Sequence, residues 1–370
     1  MNGRKPTNIT ALHDWHVAHG AKMTAFAGYD MPINYSTGAV EEHLITRRSV
    51  GLFDIDHMGQ LEITGQSADD FVARMITAKV SDLVPPMARY SLLLDEKGGV
   101  IDDLFVYRLP SSWWIVVNAS NHAADLEWFR AHAPSSVKVT DRSDDTYMIA
   151  VQGPRAIELL DKVANSPVST IQRFCWGNIA IDGIPVLFGR TGYTGEDGGE
   201  LFFPAEKALQ LWEFLLKQGE MLGIETKPIG LAARDSLRFE AGMPLHGHEI
   251  SIEINPIEAG FKWACDFEKE FVGKEALLAI IEKGVSRKLA GIEVFGGVPR
   301  EGYEVASPDG TVIGHCVAGM FCPTVKKYAA NAFVEPGFAK AGTNVSVIIR
   351  GQPRTAVVVK RPLYVPAYRR

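Results

Sequence analysis

Two aspartates stand side by side in the middle of an apolar run, Val100-Ile-Asp-Asp-Leu-Phe-Val-Tyr107. The run is one arm of a predicted hairpin. Its other arm begins at Tyr90, and Asp95-Glu-Lys-Gly-Gly99 supplies a glycine-containing turn between them. Side chains alternate between faces along a strand. Ile101, Asp103, Phe105 and Tyr107 therefore share one face, and Val100, Asp102, Leu104 and Val106 the other. A carboxylate lies among apolar neighbours whichever face is buried. Strands disfavour aspartate, and burying one costs several kcal/mol unless it is paired. Either one of the pair meets an arginine or caps a neighbouring loop, or a carboxylate is aimed into a pocket lined by Phe105, Tyr107 and Tyr90.

A second stretch with chemical potential is Gly192-Tyr-Thr-Gly-Glu-Asp-Gly-Gly-Glu200. Its glycines would let the backbone approach a ligand closely, and Glu200 would open the next strand. No lysine or helix start follows, which argues against a phosphate-binding P-loop. A decorated hairpin turn and a ligand loop both remain open. Arg234 and Arg238 fall one turn apart on a predicted helix, suited to internal ion pairs or to an anionic ligand. His246-Gly-His248 has no third ligand at a familiar spacing, which disfavours a metal site.

The elements that must position these groups belong to a long chain. At 370 residues it is too large for one core and implies two or three domains. A hydrophobic content of 46% with 22% charged residues is that of a soluble globular protein. The net charge of −6 and the lack of a long basic run give no support to a nucleic-acid role. No apolar stretch approaches the roughly 20 residues that span a bilayer. The N-terminal Met1-Asn-Gly-Arg-Lys-Pro-Thr7 lacks the apolar core of a signal peptide. Cys175, Cys265, Cys316 and Cys322 have neither zinc-ribbon spacing nor the density of a disulfide scaffold, so a reducing cytoplasm is the expected compartment.

Read in order, apolar spacing predicts a helix over Thr10 to His19 and irregular strand and loop from Gly20 to Tyr35. A second helix follows over Val40 to Val50, with His43, Arg47 and Arg48 on its polar side. A strand over Gln60 to Thr64 and a helix over Ser67 to Ala78 precede the acidic hairpin. After it come a strand over Trp113 to Asn118, an amphipathic helix to about His132 and a strand over Thr146 to Val151. Gln152-Gly-Pro154 leads into a helix over Ala156 to Val163. A hairpin over Asn178 to Gly189 turns at Asp182-Gly183. Helices over Ala205 to Met221 and Gly230 to Gly242 complete this α+β portion. Beyond about residue 275 the texture changes to short strands with Gly/Pro turns, the pattern of a separate all-β barrel or sandwich.

Taken together these stretches resemble the aminomethyltransferase of the glycine cleavage system, the tetrahydrofolate-dependent T-protein. The resemblance is carried by Gly20-Ala-Lys-Met, Phe26-Ala-Gly28, Gly51-Leu-Phe-Asp54 with His57-Met-Gly59, and Gly98-Gly-Val-Ile-Asp-Asp-Leu104. It continues through Val151-Gln-Gly-Pro154, Gly192-Tyr-Thr-Gly-Glu-Asp-Gly198, Ala233-Arg-Asp-Ser-Leu-Arg238 and Pro323-Thr324 with Lys327. They fall in the family's order along nearly the whole chain.

The resemblance implies an α+β cloverleaf of three domains around a central folate site. Residues 1–50 and 141–278 would form a discontinuous folate-binding domain. Residues 51–140 would form a ferredoxin-like domain carrying the Asp-Asp hairpin, and residues 279–370 a C-terminal β-barrel. The essential aspartate would be Asp103. Tyr90, Phe105, Tyr107, Asn118 and Tyr193 would line the pterin and aminobenzoate, and Glu200 would accept hydrogen bonds from the pterin's aminopyrimidine edge. Met58 and Arg234 match further ligand positions, and Tyr368, with Arg369 beside it, would close the site. The partners implied are tetrahydrofolate, as one-carbon acceptor, and the lipoylated carrier, the H-protein. No metal, redox cofactor, nucleic acid or membrane is implied.

The chain departs from the family where His246 and His248 replace a tyrosine and an asparagine or glutamine, and where Cys322 replaces a serine. Those changes leave two other readings: a tetrahydrofolate-dependent demethylase of a different donor, or a non-catalytic folate-binding regulator. The intact Asp-Asp pair and tyrosine-glycine loop favour the aminomethyl reaction.

Overall fold

The structure is a computed structural model and describes residues 8–369. It is α+β, with a closed six-stranded C-terminal barrel. The chain divides into two compact units. The first takes the residues up to Val72 together with Val80–Tyr90 and Leu104–Leu237. The second takes Ala73–Lys79, Ser91–Asp103 and the chain from Arg238 onward.

The first unit is built on a six-stranded sheet in the order Trp176–Ile181, Ile184–Gly189, Gly198–Pro204, Thr146–Gln152, Val50–Asp54 and Thr226–Pro228. Both faces are covered, which is why its central strands lack a clean polar alternation. On one face Leu52, Ile149, Val151, Leu201 and Phe203 pack with Leu159, Leu160, Leu211, Trp212 and Leu215, from the helices Ala156–Val163 and Ala208–Met221. On the other face Phe53, Met148, Ala150 and Phe202 pack with Ala233 and Leu237 of the helix Leu231–Glu240. Tyr107 and Val116 join this second cluster. They come from a five-stranded sheet in the order Ala88–Leu94, Val100–Arg108, Trp113–Val117, Gly59–Gly65 and Val137–Asp141. In its register Phe105 faces Val116 and Tyr107 faces Trp114.

The segment Gly20 to Tyr35 is more regular than its glycines suggest. Lys22–Phe26 and Tyr29–Asn34 form an antiparallel pair, with Asn8–Ile9 parallel to the latter. The turn at Asp182-Gly183 has positive φ at both residues (51° and 74°), as a two-residue hairpin turn requires.

The helix predicted over Val40 to Val50 runs from Ala39 to Arg48, and its supposed polar side is partly its buried side. His43 is buried, with Nδ1 2.7 Å from the Ser236 hydroxyl. The Arg47 side chain is also largely covered: it donates to the Thr194 carbonyl (2.7 Å), to Glu196 (3.0 Å) and to the Leu237 carbonyl (3.2 Å). Glu42 accepts from the amides of Tyr35 (2.6 Å) and Gly230 (2.7 Å). One short helix thus fixes the glycine loop and the start of the Leu231–Glu240 helix together. Polar residues on an inward face read as solvent-facing only until their partners are known.

In the second unit the barrel closes in the order Lys288–Val294, Lys327–Val334, Val312–Cys322, Glu304–Ala306, Asn344–Ile349 and Gln352–Val359. Its apolar interior includes Ile292, Val305, Val334, Val347 and Val358. Arg238 and Glu249 form a fully buried ion pair at 2.9 Å, and Asn331 donates to the same carboxylate at 2.7 Å. The tip of the acidic hairpin is packed tightly here. A Cβ on Gly99 would lie 2.1 Å from the Ile252 carbonyl oxygen, so only glycine fits. Among the described residues no helix is long and apolar enough to cross a membrane.

Candidate functional site

Burial distinguishes the two aspartates of the acidic strand. Along Val100–Arg108, Val100, Asp102, Leu104 and Val106 are buried, whereas Ile101, Asp103 and Phe105 keep partial exposure. Asp102 is therefore the carboxylate inside the packing. Asp103 stands on the open face, two residues before Phe105 and four before Tyr107.

Alternation along Gly198–Pro204 places Glu200 on the same face as Phe202, toward the cluster that contains Tyr107. Glu200 Oε2 accepts from the Thr191 hydroxyl (2.6 Å) and from the Tyr107 hydroxyl (3.1 Å). Tyr107 and Thr191 are themselves 2.7 Å apart. Burial, and then the Glu200 charge, push the Tyr107 phenol well above its ordinary pKa, so it remains a neutral donor. The result is a carboxylate fixed in orientation by two hydroxyls.

Arg234 lies beside Ala233 on the helix Leu231–Glu240, and its guanidinium sits 4.8 Å from the ring centroid of Tyr193. Burial lowers the Arg234 pKa, while Tyr193 and Glu200 act in the opposite direction. Arginine stays charged through such a shift, so the group is a partly buried cation. Its sequence neighbour one turn on, Arg238, serves the buried ion pair with Glu249 instead.

The loop that carries Tyr193 is held from several sides. Gln152 donates to the Thr191 carbonyl (3.1 Å) and accepts from the Thr194 hydroxyl (2.8 Å). Arg190 forks onto Asp197 at 2.7 and 3.1 Å. A Cβ on Gly192 would strike the Gln152 side chain at 2.1 Å, and one on Gly199 would strike Phe188 at 2.0 Å. These two glycines serve close packing of the protein on itself.

Met58 and Phe105 pack against the cluster that holds Tyr107. Met58 immediately precedes the strand Gly59–Gly65, and Asn118 immediately follows Trp113–Val117. Gly59 pairs with Val117, so Met58 and Asn118 emerge at the same end of that strand pair. Tyr90 lies in the edge strand Ala88–Leu94, partly buried. The turn before Met58 is anchored by Asp54, which accepts from Thr10 (2.7 Å), His16 (2.9 Å), Tyr147 (3.1 Å) and the Asp56 amide (3.2 Å).

Met58, Tyr90, Phe105, Tyr107, Asn118, Tyr193, Glu200 and Arg234 thus all fall in the first compact unit. Tyr368 lies in the terminal 3-10 turn Ala367–Arg369 of the second unit and is exposed. His246 Nε2 donates to the Val100 carbonyl (3.2 Å) and His248 Nδ1 to the Val317 carbonyl (2.8 Å). Among the described residues no cluster of three or more His, Cys, Asp or Glu could hold a metal ion.

Three contributors escaped the sequence. Thr191 stands one residue ahead of the glycine loop and supplies the shortest bond to Glu200. Arg47 braces the same loop from 147 residues away. His57 is buried with its Nδ1 unpartnered among the described residues. Burial, and then the Arg234 charge, lower its pKa to about 4. Of the three, only His57 sat inside a motif that could have flagged it.

Comparison with known proteins places the chain in a family. The GCVT N-terminal domain matches residues 12–269, and the glycine cleavage T-protein C-terminal barrel domain matches residues 287–364. An aminomethyltransferase of Desulforamulus reducens is 41% identical over 96% of this chain and 97% of its own length. One of Symbiobacterium thermophilum is 42% identical over 98% of each. The crystal structure of glycine cleavage system aminomethyltransferase T from Bartonella henselae superposes with a TM-score of 0.91 at 33% identity, covering 98% of this chain and 99% of that one. With both domain types matched in order over nearly its whole length, this chain belongs to the glycine cleavage T-protein family of aminomethyltransferases.

Proposed function

We propose that this enzyme transfers the one-carbon unit of an aminomethyl group, carried on the dihydrolipoyl arm of an H-protein, to tetrahydrofolate. The observation that carries the reading is the Glu200 carboxylate fixed by Thr191 and Tyr107, with Phe105 and Met58 on the same apolar cluster. A carboxylate clamped in one orientation suits a planar edge of N–H donors such as an aminopyrimidine. The aromatic and thioether neighbours suit the flat ring system attached to it. The Arg234 guanidinium against Tyr193 adds a partly buried cation for polar groups of the ligand. Tyr90 and Asn118 would complete the lining.

The reaction balances without an oxidant or reductant. The C–S and C–N bonds of the aminomethyl thioether break, and two C–N bonds form to N5 and N10 of tetrahydrofolate. Of the two protons those nitrogens lose, one leaves with ammonia and one restores the dihydrolipoyl thiol. The product is 5,10-methylene-tetrahydrofolate. Asp103, on the open face of its strand, would orient the attacking amine and stabilise positive charge developing on the one-carbon unit. Holding both reactants in line supplies much of the remaining acceleration. The working compartment on this reading is the cytoplasm.

A single-turnover assay tests it, with purified protein, tetrahydrofolate and aminomethyl-loaded lipoyl carrier. Stoichiometric ammonia and methylene-tetrahydrofolate are expected. Folate binding without either product would contradict the reading.

A further inference from the structure

The acidic strand is gripped at its first residue by a side chain that the chemistry above does not use. In the hairpin turn, the Asp95 amide donates to the Gly99 carbonyl (3.0 Å). Backbone groups alternate between the two edges of a strand, so the Val100 N–H and C=O leave by the opposite edge. Along that edge the neighbouring strand Trp113–Val117 pairs only with Phe105–Arg108. Val100 lies beyond its reach, and bare edge groups there would lack partners. The segment that follows the Leu231–Glu240 helix supplies them. The Val100 amide donates to the carbonyls of Ser251 (3.0 Å) and Ile254 (3.3 Å), and His246 Nε2 donates to the Val100 carbonyl (3.2 Å).

His246 stands on a firm support. Glu249 Oε2 accepts from the Leu245 amide (3.0 Å) and from the buried Arg238 (2.9 Å). The Gly247 amide closes the turn onto the Ile250 carbonyl (2.8 Å), with φ of +90° at Gly247. A run of bonds thus leads from the buried ion pair through Leu245 and His246 to Val100. Asp103 lies three residues further along the same strand, on its open face, and all of these residues belong to the second compact unit.

A carboxylate that must meet a reacting atom tolerates little drift, since a misplacement of about 1 Å costs about 100-fold in rate. We propose that His246 is a positioning residue for the transfer reaction: its grip on Val100 sets where the strand presents the Asp103 carboxylate. This rests on the role given to Asp103 above. The Val100 amide keeps its own two bonds, so loss of the His246 bond shifts the strand without freeing it.

The test is the single-turnover assay with tetrahydrofolate and aminomethyl-loaded carrier, with tetrahydrofolate Kd and Tm measured on the same preparations. His246→Phe keeps a ring and removes the donor. Methylene-tetrahydrofolate formation should slow by about tenfold while the Kd stays within about twofold of wild type. His246→Gln carries an amide N–H near the place of Nε2 and should recover the rate to within about threefold. In the Asp103→Asn background, His246→Phe should add no further slowing, because a residue acting through Asp103 then has nothing left to position. His246→Asn, too short to reach Val100, replaces the phenylalanine variant if that one does not fold. A wild-type rate in His246→Phe, a Kd that weakens as much as the rate falls, a glutamine variant equally slow, or additive slowing with Asp103→Asn would each overturn the proposal. Wild type without turnover would refute the reaction reading itself, and the proposal with it.

Discussion

The Tyr107 hydroxyl lies 3.1 Å from Oε2 of Glu200, and the two side chains come from strands of different sheets. Tyr107 is fully buried on its strand, and Glu200 is partly buried on Gly198–Pro204. This bond, with the 2.6 Å bond from Thr191, joins the five-stranded sheet to the six-stranded one at the point where the candidate ligand edge would sit. The strand of the acidic pair and the strand after the glycine loop are thereby held in one geometry.

Tyr107→Phe keeps the ring and removes the donor to Glu200. The net loss of one such bond is about 1 kcal/mol, so tetrahydrofolate should bind about 3- to 10-fold more weakly, with a smaller change in turnover. Isothermal titration checks this, and an unchanged Kd would detach Tyr107 from the site.

Glu200→Ala removes the carboxylate altogether. Tetrahydrofolate affinity should fall by at least about tenfold, more than for Tyr107→Phe, because a charge-assisted bond is lost as well as its support. Equal losses in the two variants would mean that Glu200 acts only through Tyr107.

Gly192→Ala should perturb the same site indirectly. The added methyl would sit 2.1 Å from Gln152 Oε1 and 2.4 Å from its Nε2, and Gln152 anchors Thr191 and Thr194. Chemical denaturation should report a loss of about 1–3 kcal/mol, the range for overpacking, together with weaker folate binding. Wild-type stability would show that Gln152 can move aside.

Asp56 offers a prediction in pH. Burial first, and then the neighbouring Asp54 charge, raise its pKa to about 9, while its carboxylate accepts from the Met148 amide. The folded protein therefore holds a proton there that the unfolded chain releases above about pH 4. Such a group favours the fold most at low pH, and its contribution declines as pH rises from about 4 toward 9. Asp56→Asn stays neutral and keeps an acceptor for Met148. Relative to wild type it should gain several kcal/mol at pH 8 and about 1 kcal/mol or less at pH 4.5, as read from unfolding curves at the two values. A difference independent of pH would contradict the assignment.

Much of the fold was legible because its signals are local. The helix Ala156–Val163, the turn at Asp182-Gly183 and the short strands of the barrel lie where periodicity and turn residues place them. Val50–Asp54 carries no strand alternation in the sequence, because every residue in it is buried and its one carboxylate is satisfied by residues as distant as Thr10 and Tyr147. His43 and Arg47 looked solvent-facing for the same reason: their partners, Ser236, Thr194 and Glu196, are far away in sequence. At the site, alternation alone put Asp103, Phe105 and Tyr107 on one face. What it could not give was the Thr191–Tyr107–Glu200 cluster, which depends on the pairing of strands from two sheets.

The central claim concerns Asp103, and the direct measurement is the single-turnover assay run on Asp103→Asn beside wild type, with tetrahydrofolate affinity measured on the same preparations. The substitution keeps size and removes charge. Folate should bind nearly as in wild type, while methylene-tetrahydrofolate formation should slow by at least about 100-fold, the usual scale for losing a positioned charge. Turnover at the wild-type rate would contradict the account and move the chemistry to another residue.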